Sequence, residues 1–215
     1  MNLSTQTLSV VVPLYNEAAG VGLFHAALIE VMETTKHDYE VIYCDDGSTD
    51  ATAQKVVEFS AGNKHIKLLK FTRNFGKEYA LTAGIAAAAG QAIIMIDGDG
   101  QHPVELIPQF VNEWQSGAKV VIGVRNNGSA GSAVKNLTSR VFYRIYNALN
   151  SEKLMKDSTD YRLIDQAVRE EFLKLPEADR MTRGLIDWLG FKKKYIHFTP
   201  KLRTIRSEEH TSELQ

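Results

Sequence analysis

The chain lacks most of the features that would place it in an oxidising compartment or inside a bilayer. Its 215 residues hold one cysteine, Cys44, so no internal disulfide framework can form. Set in an apolar run, that thiol reads as a small core side chain on a strand. No stretch approaches the roughly 18–20 apolar residues needed to cross a membrane. The first seven residues are polar rather than a signal peptide, so the chain as given reads as soluble and cytoplasmic. Neither sign of charge is in excess: the formal net charge is −1, which argues against nucleic acid as a general partner. No Gly-x-Gly-x-x-Gly follows the first apolar run and no Gly-x-x-x-x-Gly-Lys-Ser/Thr occurs, which disfavours dinucleotide-binding dehydrogenases and P-loop enzymes. A Gly-x-Ser-x-Gly elbow is also missing, and with it the α/β-hydrolases. His25, His37 and His65 show no ligand spacing and read as surface residues.

What is present is an alternation. Apolar, β-branched runs at 8–13, 39–44, 66–71, 91–96 and 118–124 predict strands. Helical spacing separates them at 18–35, from a cap at Ser48 or Asp50 to about Ser60, at 76–89, and at 103–115. After a Gly/Asn/Ser loop at 126–132 come a helix at 134–149 carrying Arg140 and Arg144, a short strand at 160–164, helices near 166–175 and 181–189, and a strand at 192–198. Near-continuous apolar strands alternating with helices predict an α/β fold, a mostly parallel sheet with helices on both faces. Ligands of such sheets bind at the carboxyl ends of the strands. Here those ends carry Tyr15-Asn16-Glu17, Asp45-Asp46, Arg73-Asn74, Asp97/Asp99 and Arg125.

The sharpest of these ends is Ile93-Ile94-Met95-Ile96-Asp97-Gly98-Asp99-Gly100-Gln101. In an extended chain Asp97 and Asp99 point the same way and can converge on one ion. Gly98 and Gly100 allow the backbone to bend and a bulky ligand to approach. Two carboxylates beside such a backbone suit a hard divalent cation that keeps positions open for phosphate oxygens.

Taken in order, Val11-Val12-Pro13-Leu14-Tyr15-Asn16-Glu17, Asp45-Asp46-Gly47-Ser48-Thr49-Asp50, Arg73-Asn74-Phe75-Gly76-Lys77 and Asp97-Gly98-Asp99-Gly100-Gln101-His102-Pro103 resemble the family-2 glycosyltransferases. The polyprenyl-phosphate branch, with dolichyl-phosphate mannose synthases and bactoprenol glucosyltransferases, is the most similar. The resemblance covers about residues 8–205 and implies a GT-A-like, Rossmann-like domain. It implies transfer of a hexose from a nucleoside-diphosphate sugar (UDP-glucose or GDP-mannose type) to a polyprenyl phosphate, with Mg²⁺ or Mn²⁺ and inversion at the anomeric carbon. On the matching positions, Pro13, Tyr15, Glu17, Cys44, Asp46, Gly98 and Arg125 would meet the nucleotide sugar. Asp97, Asp99 and Gln101 would hold the metal, with Asp99 among the catalytic residues. Asp160 in Ser158-Thr159-Asp160-Tyr161-Arg162-Leu163 would orient or deprotonate the acceptor, unless it is a cap; Ser158-Thr159 departs from the branch's small residue and Gly. Arg162 and Arg203, or else Arg140 and Arg144, would bind the acceptor phosphate, with Arg203 best placed by the resemblance, and Lys77 a phosphate, unless it is a solvated lysine. The run Lys192-Lys193-Lys194 with Lys201 and Arg203 faces either an anionic membrane or plain solvent.

Residues 1–205 thus read as the catalytic domain. Residues 206–215 lose apolar content and read as a non-native tail of sequencing origin. The resemblance further implies a membrane anchor beyond the end of this chain, a site of action at the cytoplasmic membrane face, and room for a homo-oligomer of the full-length form. The alternatives are a family-2 transferase with a glycan or glycolipid acceptor, and a non-catalytic nucleotide-sugar-binding module.

Overall fold

The structure, a computed structural model, describes residues 6–126, 157–177 and 181–201. The expected helix at 134–149 with Arg140 and Arg144, Arg203, and the 206–215 tail lie outside the described residues.

Each apolar run forms a strand close to its expected bounds: β1 Thr7–Leu14, β2 Asp38–Asp45, β3 Ile66–Lys70, β4 Ala92–Met95 and β5 Val120–Arg125. The helices between them are α1 Val21–Thr34, α2 Thr52–Ser60, α3 Lys77–Ala87 and α4 Ile107–Gln115. Before α4 the chain makes a 3₁₀ turn, Val104–Leu106, so the α-helix starts later than Pro103 suggests, with a proline in its own first turn. The remaining elements are β6 Ser158–Asp165, α5 Gln166–Lys174, α6 Thr182–Trp188 and β7 Lys193–Phe198.

The strands form one seven-stranded sheet in the order β3-β2-β1-β4-β6-β5-β7. β1 to β4, β5 and β7 share one direction, while β6 runs antiparallel between β4 and β5. That reversal matters, because the first residues of β6 then lie at the edge where the parallel strands end. Side-chain alternation divides the core into two layers. Leu8, Val10, Val12 and Leu14 of β1 join Phe24, Leu28, Val56, Phe110 and Trp114 from α1, α2 and α4 on one face. Val11, Ile42, Cys44, Ile93 and Met95 join Leu81, Ile85, Val168, Phe172 and Ile186 from α3, α5 and α6 on the other. Burying both faces explains why the strands read as unbroken apolar runs. No described helix is long and apolar enough to cross a membrane.

The structure adds partners to two charged or polar segments. Lys192–Lys194 precede or open β7, at the edge opposite the strand ends. Lys193 Nζ donates to the Asp187 carbonyl (2.9 Å), and Lys194 lies 3.9 Å from Glu113. His25 and His65 are not free surface residues either. His25 stacks on Phe59 at 4.1 Å and pairs with the Tyr43 hydroxyl, while His65 stacks on Tyr39.

Candidate active site

The carboxyl ends of β1, β2 and β4 and the turn into α3 enclose a cleft of about 320 Å³. Pro13, Tyr15, Glu17, Asp46, Lys77, Asp97, Gly98 and Asp99 line it, so eight of the expected residues meet in one place. The β1 and β2 loops are sewn together by short polar bonds. Ser48 Oγ accepts from the Asn16 amide (2.9 Å), Thr52 Oγ1 from the Glu17 amide (2.9 Å) and Asp50 from the Ala18 amide (3.0 Å). The Asp-Gly-Ser-Thr-Asp segment therefore staples the cleft wall; Ala51 holds the N-cap position of α2, and Asp50 Oδ1 accepts the amide of its first residue, Thr52 (2.9 Å). Asp46 is buried and accepts the amides of Phe75 and Gly76, both at 2.8 Å. Its carboxylate pins the turn that delivers α3 to the cleft.

Gly98 has a reason different from ligand approach. A Cβ there would stand 2.4 Å from Leu14 Cδ2, so the missing side chain lets β4 close against the end of β1. Cys44 is the core side chain that its apolar run predicts, so any contact with a nucleotide would come from its backbone. Its side chain is fully buried under α3, outside the cleft lining, and burial pushes its thiol up to about 12, so it stays protonated.

At the mouth of the cleft, Lys77 Nζ bridges Asp97 Oδ1 (2.6 Å) and Asp160 Oδ2 (2.9 Å). Burial favours the neutral amine, but the charges of Asp97 and Asp160 outweigh it and raise the Lys77 pKa. Burial likewise raises Asp160; the Lys77 charge and hydrogen bond, with Arg183 and Arg162, outweigh it and hold that carboxyl below its ordinary range. Asp160 is thus ionised at neutral pH and is a weak base. Thr159, the departure noted before it, donates to the Gly123 carbonyl (2.9 Å) and so secures the start of β6.

Arg162 is a correction. It is 1% exposed, and its guanidinium is committed to Asp187 of α6 (3.0 and 3.4 Å) and to the Thr159 carbonyl (2.9 Å). Residues i and i+2 share a face, but Arg162 lies two positions deeper than Asp160, beneath α6, where no acceptor phosphate reaches it.

The metal expectation meets a suitable donor set. Asp97 and Asp99 bring hard carboxylate oxygens to one cleft, as Mg²⁺ or Mn²⁺ requires. The Gln101 side chain is turned instead toward Arg125, whose guanidinium donates to its amide oxygen at 3.4 Å, and the Gln101 backbone N–H donates to Asp99 Oδ1 (3.0 Å). Among the described residues no group of three or more His, Cys, Asp or Glu side chains is placed to hold a metal ion, so the two carboxylates would need further oxygen ligands. His102 was not singled out from the sequence. It is buried against Tyr161 and Phe198, 3.7 Å from Asp97, and burial lowers its pKa despite Asp97 and Asp99, so it stays neutral. Arg183 was not singled out either; it comes near only because α6 folds over β6, which no local pattern announces.

Residues 9–173 match the profile described as "Glycosyl transferase family 2". The chain belongs to glycosyl transferase family 2. An uncharacterized glycosyltransferase of Synechocystis is 37% identical over 194 residues, 90% of this chain and 61% of that protein. The prophage bactoprenol glucosyl transferase homolog of Escherichia coli is 35% identical over 191 residues, 89% of this chain and 62% of the relative. The chain thus spans about three fifths of these relatives' length. Among solved structures, glucosyl-3-phosphoglycerate synthase of Mycobacterium tuberculosis with Mn²⁺, UDP and glucosyl-3-phosphoglycerate superposes with a TM-score of 0.62 at 20% identity, covering 94% of this chain and 73% of that one. Mannosyl-3-phosphoglycerate synthase of Rubrobacter xylanophilus gives 0.64 at 15% identity, covering 94% and 68%. The family-2 domain therefore has the α/β sheet that the alternation of strands and helices predicts, in the GT-A form that the resemblance implies.

Proposed function

We propose that this chain is the catalytic domain of a hexosyltransferase that uses a nucleoside-diphosphate sugar, a divalent cation and a polyprenyl phosphate acceptor at the cytoplasmic membrane face. The observation that carries the reading is the Asp97–Lys77–Asp160 bridge, which joins the donor side of the cleft to the acceptor side within one ammonium's reach. The curated relatives named for bactoprenol favour a lipid phosphate acceptor, and the Mn²⁺–UDP neighbour favours a metal-bound nucleotide sugar.

In this reading Pro13, Tyr15, Glu17 and Asp46 wall the nucleotide, and Asp97 and Asp99, with Gln101 able to turn inward, hold the cation. When bound, the cation neutralises the charge growing on the leaving nucleoside diphosphate. Lys77 and Arg125 add positive charge at the diphosphate. Asp160 orients the acceptor; a phosphate monoester is already ionised at neutral pH, so strong base catalysis is not required of so acidic a carboxyl. Displacement from the face opposite the leaving group inverts the anomeric carbon.

The test is transfer of labelled hexose from UDP-glucose and GDP-mannose to a panel holding polyprenyl phosphate, a glycolipid and a glycan, with and without Mn²⁺. Product on polyprenyl phosphate alone is expected, and Asp99→Ala is expected to abolish it while leaving the far-UV circular dichroism unchanged. Product on the glycan or glycolipid alone would move the chain to another branch of the family, and full activity of Asp99→Ala would refute the metal assignment.

A further inference from the structure

We infer that Arg183, with Lys77, frames an anion subsite beside Asp160 that takes a phosphate monoester carrying an apolar tail. The inference rests on the acceptor reading above and names the residue that serves it.

A phosphate next to an ionised Asp160 needs positive charge that is not already spent. Arg162 is spent on Asp187, and Lys77 is shared between two carboxylates. Arg183 is different. It lies in the first turn of α6, is only partly buried, and its side chain makes one hydrogen bond among the described residues, donating to the Ser158 carbonyl at 3.2 Å. That carbonyl stands two residues before Asp160, which places the guanidinium at the acceptor side with most of its N–H groups uncommitted. Its charge acts on the Asp160 carboxyl, in keeping with that position.

The surroundings hold Arg183 in place. α6 is tied to β6 by the Arg162–Asp187 fork and to α3 by the Thr182 amide, which donates to Glu78 at 2.8 Å. The buried fork thus acquires a purpose: it fixes the helix that presents Arg183, so the guanidinium is pre-organised for a planar, bidentate oxyanion. Tyr79 and Met181, the chain neighbours of Glu78 and Thr182 on the two segments this bond joins, are exposed apolar side chains, at 47% and 60%. An isoprenoid chain leaving the phosphate meets apolar surface there, whereas a free phosphate has no use for it.

The experiment compares the full chain with Arg183→Gln and Arg183→Lys by titration calorimetry. The probes are geranyl phosphate, glycerol 3-phosphate, and UDP with Mn²⁺, and thermal melting controls for folding. Loss of a charge-assisted hydrogen bond weakens binding by about 10- to 100-fold. Arg183→Gln is expected to lose that much affinity for geranyl phosphate and Arg183→Lys less, with UDP–Mn²⁺ affinity held within about twofold of the parent. Unchanged geranyl phosphate binding in both variants overturns the subsite, as does failure of the parent to bind either monophosphate. An equal loss of UDP–Mn²⁺ affinity also overturns it and assigns Arg183 to the donor. If the parent binds glycerol 3-phosphate but not geranyl phosphate, and Arg183→Gln abolishes that binding, the anion subsite stands and the lipid reading falls. Should Arg183→Gln fail to melt cooperatively, the Arg183→Lys affinity decides.

Discussion

Arg162 has the largest fully buried side chain among the described residues, and its ion pair is with Asp187, the carbonyls of Thr159 and Arg183 taking its other hydrogen bonds. Asp187 holds it from α6 at 13% exposure, and Asp187 in turn has Lys193 at 3.9 Å. The two ends of the pair are therefore unequal. Asp187→Ala strands a buried guanidinium and should cost about 3–5 kcal/mol. Arg162→Met leaves a carboxylate that keeps a cation and some water, and should cost clearly less. Urea denaturation of both variants checks the asymmetry; equal losses would mean that the fork is not the dominant contact of α6. Sequence pattern puts Asp160 and Arg162 on one face of β6 and makes both look like substrate residues. Depth beneath α6 separates them, and depth is a property of packing.

At the scale of single elements, α3 shows why an alanine-rich helix stands in the middle of the sheet. It crosses β1 and β2 so closely that a Cβ on Gly84 would meet Val11 Cγ1 at 2.3 Å and Cys44 Sγ at 2.8 Å. Gly84→Ala gains about 1 kcal/mol of helix propensity, yet overpacking of a dense core costs about 1–3 kcal/mol. The contact lies deep against two fully buried side chains that have nowhere to move, so the cost wins. A lowered melting temperature is expected, and an unchanged or raised one would show that α3 can lift away from the sheet. The same closeness brings Lys77, the first residue of α3, to the carboxylates at the strand ends. Composition announced the helix; its contact distance was not legible, because small residues permit close approach without saying which strand is approached.

Across the whole molecule, the edge opposite the cleft is closed by a buried carboxylate. Glu40 accepts from Ser9 Oγ (2.6 Å), Lys67 Nζ (2.6 Å) and the Ala89 amide (2.7 Å), joining β1, β2, β3 and the turn before β4. Burial raises the Glu40 pKa, but the Lys67, Ser9 and Ala89 hydrogen bonds together outweigh it and hold it below 4.5. A folded-state pKa below the unfolded one stabilises the protein above pH 4.5, and that stability drains away as pH falls through the folded value. Glu40→Gln should cost about 1–3 kcal/mol at pH 7. Its deficit against the parent should shrink as pH drops below 4.5; denaturation curves at pH 7 and pH 3 measure this, and a constant deficit would exclude Glu40 from the acid limb.

The element order, the two-sided α/β class and the Asp97/Asp99 end were readable from residues alone. They rest on short-range rules: alternation along a strand, helical spacing, and carboxylates two apart in an extended chain. The family followed from four motifs in order, each carried by neighbours in sequence. Which charges face the cleft and which are consumed inside could not be read that way. Arg162 locked to Asp187 and Arg183 beside Asp160 both depend on contacts between residues far apart in the chain. The antiparallel insertion of β6 brings Asp160 to the strand-end edge, and α6 laid over it selects Arg183 over Arg162. Both are outcomes of packing, where burial and the pairing of charges set what remains free to bind.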